Sequence, residues 1–98
     1  MYHEERTNIS TKTQDMKRAI DSLREELEAV DWYNQRAEAC SDPELKKILI
    51  HNANEEKEHS AMLLEWIRKN DWHFDWELKE YLFKNKDVTE HENEVMWR

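Results

Sequence analysis

Glycine is absent from the 98 residues, and proline occurs once, at Pro43. Strand-rich folds draw on glycine for hairpin turns and bulges, so a chain without it is expected to be helical, with few and simple turns. The single cysteine, Cys40, cannot close an internal disulfide. The start, Met1-Tyr2-His3-Glu4-Glu5-Arg6, is charged and lacks the apolar stretch of a secretory signal. With one free thiol, the expected location is cytoplasmic. No apolar run approaches the roughly 20 residues that a spanning helix needs, so no membrane partner is expected. Positive charge is short as well: 15 Lys and Arg stand against 23 Asp and Glu, for a net charge of −8. Binding nucleic acid takes clustered cations that neutralise phosphates. The balance here argues against nucleic acid and suits small cations.

What is present is charge and tryptophan. Hydrophobic residues make up 38% of the chain and charged ones 39%, so a lone copy can bury only a thin core. Domains of this size often depend on a metal, a disulfide or a partner, and the disulfide is already excluded. Five tryptophans are many for so polar a chain. Large aromatics are enriched at protein interfaces, which points to self-association.

Residues 1–9 read as a disordered N-terminal tail. From Ser10 a helical period begins, with Met16, Ile20, Leu23, Leu27, Val30 and Ala37 at spacings of three and four, and Asn34 the polar member of the row. That helix ends near Cys40. Ser41-Asp42-Pro43-Glu44 then has the form of a new start, with Ser41 and Glu44 at capping-box spacing and a proline where only a first turn tolerates it. The second helix runs to about Asn70, carrying Leu45, Ile48, Leu49, Met62, Leu63, Trp66 and Ile67. Two long helices joined by one tight turn fold back on each other, so residues 10–70 are expected as an antiparallel hairpin. Residues 71–84 follow as a short third helix with Trp76, Leu78, Tyr81, Leu82 and Phe83 on its apolar side. Residues 85–98 lose all period and read as a C-terminal tail. The fold class is all-α.

One position breaks the apolar row of the second helix. Leu49, Glu56 and Leu63 are seven apart, so a carboxylate stands where leucines stand one heptad to either side. His59, in the row of Asn52, Met62 and Trp66, is three residues on and therefore a neighbour on the helix surface. A buried, unanswered carboxylate costs several kcal/mol, and a divalent cation would offset it. Glu-x-x-His is the spacing that di-iron carboxylate bundles use. The first helix supplies the test. With the turn centred on residue 41, Glu56 lies 15 residues beyond it, and the residue 15 before it is Glu26. Both stand about 22 Å up the hairpin, at about 1.5 Å per residue. Glu-x-x-His by itself is common on solvated helices, and Glu56-Lys57-Glu58-His59 read alone is a charged face. The broken apolar row and the matching height of Glu26 favour metal.

Counting ligands points to the assembly. A di-iron carboxylate site takes four carboxylates and two histidines from four helices, and this chain has two carboxylates and one histidine at that height. Two copies related by a two-fold axis complete the set. The expected form is a dimer with a ferritin-like four-helix arrangement and two Fe per dimer.

The stretch Glu25-Glu26-Leu27-Glu28-Ala29-Val30-Asp31-Trp32-Tyr33, then Asp42-Pro43-Glu44-Leu45, Glu55-Glu56-Lys57-Glu58-His59, Leu64-Glu65-Trp66 and Tyr81-Leu82-Phe83 closely resembles the encapsulated ferritins over about residues 20–84. The resemblance implies a half ferritin that dimerises into a ferroxidase centre. It implies a ring of five dimers carried inside an encapsulin nanocompartment, whose shell protein is a partner. The ring oxidises Fe²⁺ and passes Fe³⁺ to the shell interior for iron storage. By family pattern Glu26, Glu56 and His59 are catalytic and metal ligands, Glu56 bridging two irons while Glu26 and His59 hold one each. Glu25 and Glu28 occupy positions where the family binds ions on their way in, beside Trp32; a solvated acidic face is the plain alternative. Tyr33, about 10 Å along the helix from Glu26, is read as a core aromatic near the site. His51 has no partner at metal spacing, and Cys40 at the turn is a bystander thiol. Family members usually end in a short, rather apolar peptide that docks to the shell wall. Glu94-Val95-Met96-Trp97-Arg98 does not match one, so the shell partner rests on the resemblance alone.

Three functions compete on these residues. A ferroxidase takes one electron from each of two irons, and carboxylate oxygens stabilise the Fe³⁺ product because hard anions suit the higher charge. A peroxide reductase would use the same ligands. A non-enzymatic acidic helical adaptor would bind a partner through the tryptophans, but it leaves Glu56 in an apolar row unexplained.

Overall fold

A computed structural model describes residues 1–96. Trp97 and Arg98, in the closing segment considered above for shell docking, lie outside the described residues, as do the side chains of Val95 and Met96. Among the described residues there are four α-helices and no strand: α1 Thr11–Ala39, α2 Pro43–Asn70, α3 Trp72–Tyr81 and α4 Val88–Met96.

Each of the first three helices opens on a side-chain cap. The Ser10 hydroxyl accepts from the Thr13 N–H at 3.2 Å, and the Asp71 carboxylate accepts from the Phe74 N–H at 2.9 Å. At the hairpin the cap is Asp42, accepting from the Leu45 N–H at 2.8 Å, and not Ser41 as the capping-box spacing suggested. Pro43 decides this. Its missing N–H and fixed φ suit the first helical position, which makes the residue before it the cap.

α1 and α2 pack along their length as the expected hairpin. The buried residues of the two helices are mostly small: Ala19 (8% exposed), Ala37 (5%), Ala53 (2%) and Ser60 (9%), with Ile67 (2%) the one large side chain. Small side chains let helix axes approach, but they bury little apolar area. Two members of the apolar row of α1, Ile20 and Leu27, are 41% and 54% exposed. The hairpin therefore leaves much of its apolar surface open.

α3 folds back against α2 through Arg68, whose guanidinium binds both Glu65 on its own helix and Asp75 on α3. Lys79 also reaches Asp75, at 3.0 Å. Lys79 and then Arg68 hold the Asp75 carboxyl below its ordinary value of 3.8.

Both segments expected as tails carry structure. Arg6–Asn8 form a 3₁₀ turn, and the Tyr2 ring lies under Arg6 at 5.3 Å and Lys17 at 5.1 Å, which holds the start of the chain along α1. Beyond residue 85, Asp87 accepts from the N–H groups of Thr89 and Glu90, and α4 follows. His91 is 3% exposed, its ring edge-on to Tyr81 at 5.1 Å. α4 is nine residues long and mostly polar, too short a stretch for its period to stand out in the sequence. No helix among the described residues is long and apolar enough to cross a membrane.

Replacing Asp42 by alanine is expected to lower stability by about 1 kcal/mol, read as a lower Tm in thermal unfolding. A second expectation concerns acid. The folded-state pKa of Asp75 is depressed, so its contribution is present above the ordinary carboxylate range and is lost as pH falls through the lowered value. Acidification should loosen α3 before the hairpin, seen as a change in the fluorescence of Trp72 and Trp76. Asp75→Asn should abolish that early step.

Candidate metal centre

The seam between α1 and α2 carries one polar interruption. Glu26 projects from α1, while Glu56 and His59 project from consecutive turns of α2. The hairpin brings these three together as the count from the turn predicts. One ligand atom from each lies within 4.8 Å of the others, and among the described residues this is the group of His, Cys, Asp and Glu side chains suited to a metal. The imidazole is the hub: His59 Nδ1 is 3.5 Å from Glu26 Oε2 and 3.4 Å from Glu56 Oε2.

Several observations bear on whether a cation fits. A first-row divalent cation takes oxygen and nitrogen ligands at about 2.0–2.2 Å, which places neighbouring donors roughly 3 Å apart, close to the two His59 distances. The chemistry suits as well, since imidazole and carboxylate together serve Fe²⁺, Zn²⁺ and Mn²⁺. Glu26 Oε2 is buried and makes no hydrogen bond. Such an oxygen leaves a desolvation cost of about 1–3 kcal/mol unanswered, and a cation among the three side chains would answer it.

The group is half-buried. The side chains of Glu26 and Glu56 are 26% and 24% exposed, and His59 is 42% exposed. On the open side His59 shares its row with Ile48, Met62 and Trp66, which are 50%, 58% and 39% exposed. Apolar side chains thus flank the trio on its open side.

Glu25 and Glu28 are exposed and stand apart from the trio. Trp32 is 49% exposed and Tyr33 half-buried, with the Arg36 guanidinium 5.8 Å from the first ring and 5.5 Å from the second. His51 pairs with Glu55 at 3.5 Å on the exposed face, and the Cys40 thiol sits 3.6 Å from the Asp42 carbonyl at the turn. Neither joins the centre. Sequence reasoning overlooked Ser60, whose hydroxyl donates to the Glu56 carbonyl at 2.9 Å. Its signal was present in the heptad spacing of Ala53, Ser60 and Ile67, the buried line of α2.

Known proteins resemble the chain over most of its length. A family profile described as EncFtn-like matches residues 1–85. A protein of Thermotoga maritima named "Ferritin-like protein" is 50% identical over 94 residues, covering 96% of this chain and 82% of its own. One of Rhodospirillum rubrum, named "Encapsulated ferritin-like protein", is 52% identical over 87 residues, or 89% of this chain; these make up 62% of that relative's length. A crystallised protein of Nitrosomonas europaea is 66% identical and superposes with a TM-score of 0.85, covering 89% of this chain and 96% of that one.

Glu56→Ala separates a site kept for binding from one kept for folding. Without metal, removing a carboxylate crowded against Glu26 is expected to leave Tm unchanged or raise it. With Fe²⁺ under argon, wild type should gain stability by mass action and the variant should not. Equal gains in Tm for both proteins on adding Fe²⁺ would contradict the assignment.

Proposed function

The chain belongs to the EncFtn-like family, and from that premise we propose that two copies meet to oxidise Fe²⁺ with O₂ at a shared carboxylate–histidine centre, supplying Fe³⁺ for storage inside an encapsulin shell. The observation that carries this reading is the trio itself: two carboxylates and an imidazole within 4.8 Å, half a di-iron ligand set, on an open apolar face. A two-fold axis beside His59 makes four carboxylates and two histidines from two chains, the full complement of such a centre.

Iron is the substrate. The net charge of −8 draws Fe²⁺ toward the molecule, and the exposed Glu25 and Glu28, one and two residues from Glu26, are suited to hold it in transit. In the centre Glu26, Glu56 and His59 of both copies would hold the two irons, Glu56 shared between them by the family pattern and Glu26 and His59 each serving one. Each Fe²⁺ gives up one electron. The pair reduces one O₂, which takes two protons and leaves as hydrogen peroxide, so that electrons and atoms balance. The carboxylate oxygens favour the Fe³⁺ product. The shell partner is carried over from the name of the Rhodospirillum rubrum relative.

Anaerobic titration with Fe²⁺ is expected to saturate at one iron per chain. Admitting O₂ should then produce Fe³⁺ absorbance, with one O₂ consumed per two irons. In Glu56→Ala and His59→Ala the rate should fall at least tenfold. Wild-type oxidation rates in Glu56→Ala would end the ferroxidase reading.

A further inference from the structure

The hairpin fills three of its buried positions with alanine, at Ala19, Ala37 and Ala53, and a fourth small one with Ser60. α2 holds no other serine and no threonine. For packing alone, alanine would serve better at position 60. It has the higher helix propensity and no polar atom to take out of water. The hydroxyl of a residue 9% exposed therefore calls for an explanation.

Its bond supplies one. The Ser60 hydroxyl donates to the Glu56 carbonyl oxygen at 2.9 Å, one turn back along α2. In an α-helix that oxygen already accepts from the N–H of residue 60, so it takes two bonds from one residue. Back-bonding of this kind bends a helix locally. The turn it spans begins at Glu56 and holds His59 near its end, and the two side chains stand 3.4 Å apart, Glu56 Oε2 to His59 Nδ1. The other side-chain bonds of this stretch, Lys57 to Asn54 and His51 to Glu55, join exposed side chains to each other and hold no backbone.

We propose that Ser60 is a positioning residue for the metal centre: its hydroxyl sets the pitch of the turn from Glu56 to His59, and so holds carboxylate and imidazole at the spacing that a shared cation requires. Ser60 touches no metal and acts through the Glu56 backbone. The inference rests on the reading of Glu26, Glu56 and His59 as a metal centre, and it adds the device that sets the geometry of that centre. Its signature is an opposition between folding and binding. A serine that only fills the seam can be exchanged for alanine without effect on metal. A positioning serine, exchanged for alanine, leaves the metal-free fold as good or better and the metal site worse.

The test uses the full chain, with Mn²⁺ as the probe and electron paramagnetic resonance as the readout of pairing. Ser60→Ala should keep or raise the Tm of the metal-free protein and change the exchange splitting of the paired Mn²⁺ signal. It should also weaken Mn²⁺ binding about tenfold, the lower end of what the partners of metal ligands contribute. Ser60→Thr keeps the hydroxyl and should keep the wild-type splitting. Ala53→Ser puts the same back-bond one heptad earlier, on a turn without a ligand, and should lower Tm while leaving Mn²⁺ affinity unchanged. Wild-type affinity and splitting in Ser60→Ala would overturn the proposal, and so would a threonine variant that behaves like the alanine one. A metal-free Tm that falls in Ser60→Ala would also overturn it, as the mark of a serine kept for folding. Failure of the wild type to pair Mn²⁺ would remove the metal reading itself, whereas identical pairing in wild type and Ser60→Ala would remove this inference alone.

Discussion

A carboxylate in a helical seam must be answered by a cation, a proton or a hydrogen-bond donor, and Glu26 and Glu56 stand together at one height with a single imidazole between them. That constraint organises the rest. The Asp42 cap and Pro43 fix where the hairpin turns, and the turn sets which residue of α1 lies opposite Glu56. Shifting the turn by one residue would rotate Glu26 by about 100° and carry it about 1.5 Å along its axis, enough to scatter the three donors. The small residues Ala19, Ala53 and Ser60 bring the helices near enough for the donors to converge.

The same small residues leave one copy with much of its apolar surface open. A core of alanines and one isoleucine removes little apolar surface from water, while Ile48, Met62, Trp66 and Phe83 remain open. The metal-suited trio and the open hydrophobic surface thus lie side by side. In the proposed assembly one event completes both: the copy that brings the missing carboxylates and histidine also covers the apolar row beside His59. Metal binding and association would then be thermodynamically linked, each strengthening the other.

The centre was legible in the sequence because it rests on spacing. Two heptad neighbours turned Glu56 into an anomaly, a helical repeat of three joined His59 to it, and equal counts from the turn found Glu26. Ile20 and Leu27 stay open in one copy for a related reason: period tells which residues share a face, not whether one chain contains what that face packs against. The Ser41 cap was displaced because two signals competed, and the fixed φ of proline outweighed capping-box spacing. α4 was missed because its start is set by Asp87, whose carboxylate accepts from the Thr89 and Glu90 N–H groups, a local cap within a stretch dominated by polar residues. The turn at Arg6–Asn8 and the cation–π stack on Tyr2 are contacts between distant residues and ordinary loop sequence, which local propensity does not register.

The central claim is that two chains contribute to one paired metal site. Titration with Mn²⁺, followed by electron paramagnetic resonance, tests it without any redox step. The account predicts that bound Mn²⁺ saturates at one per chain and shows the exchange-coupled signal of two ions held a few Å apart, lost in His59→Ala. An isolated six-line signal that persists to saturation, one uncoupled ion on each chain, would contradict it.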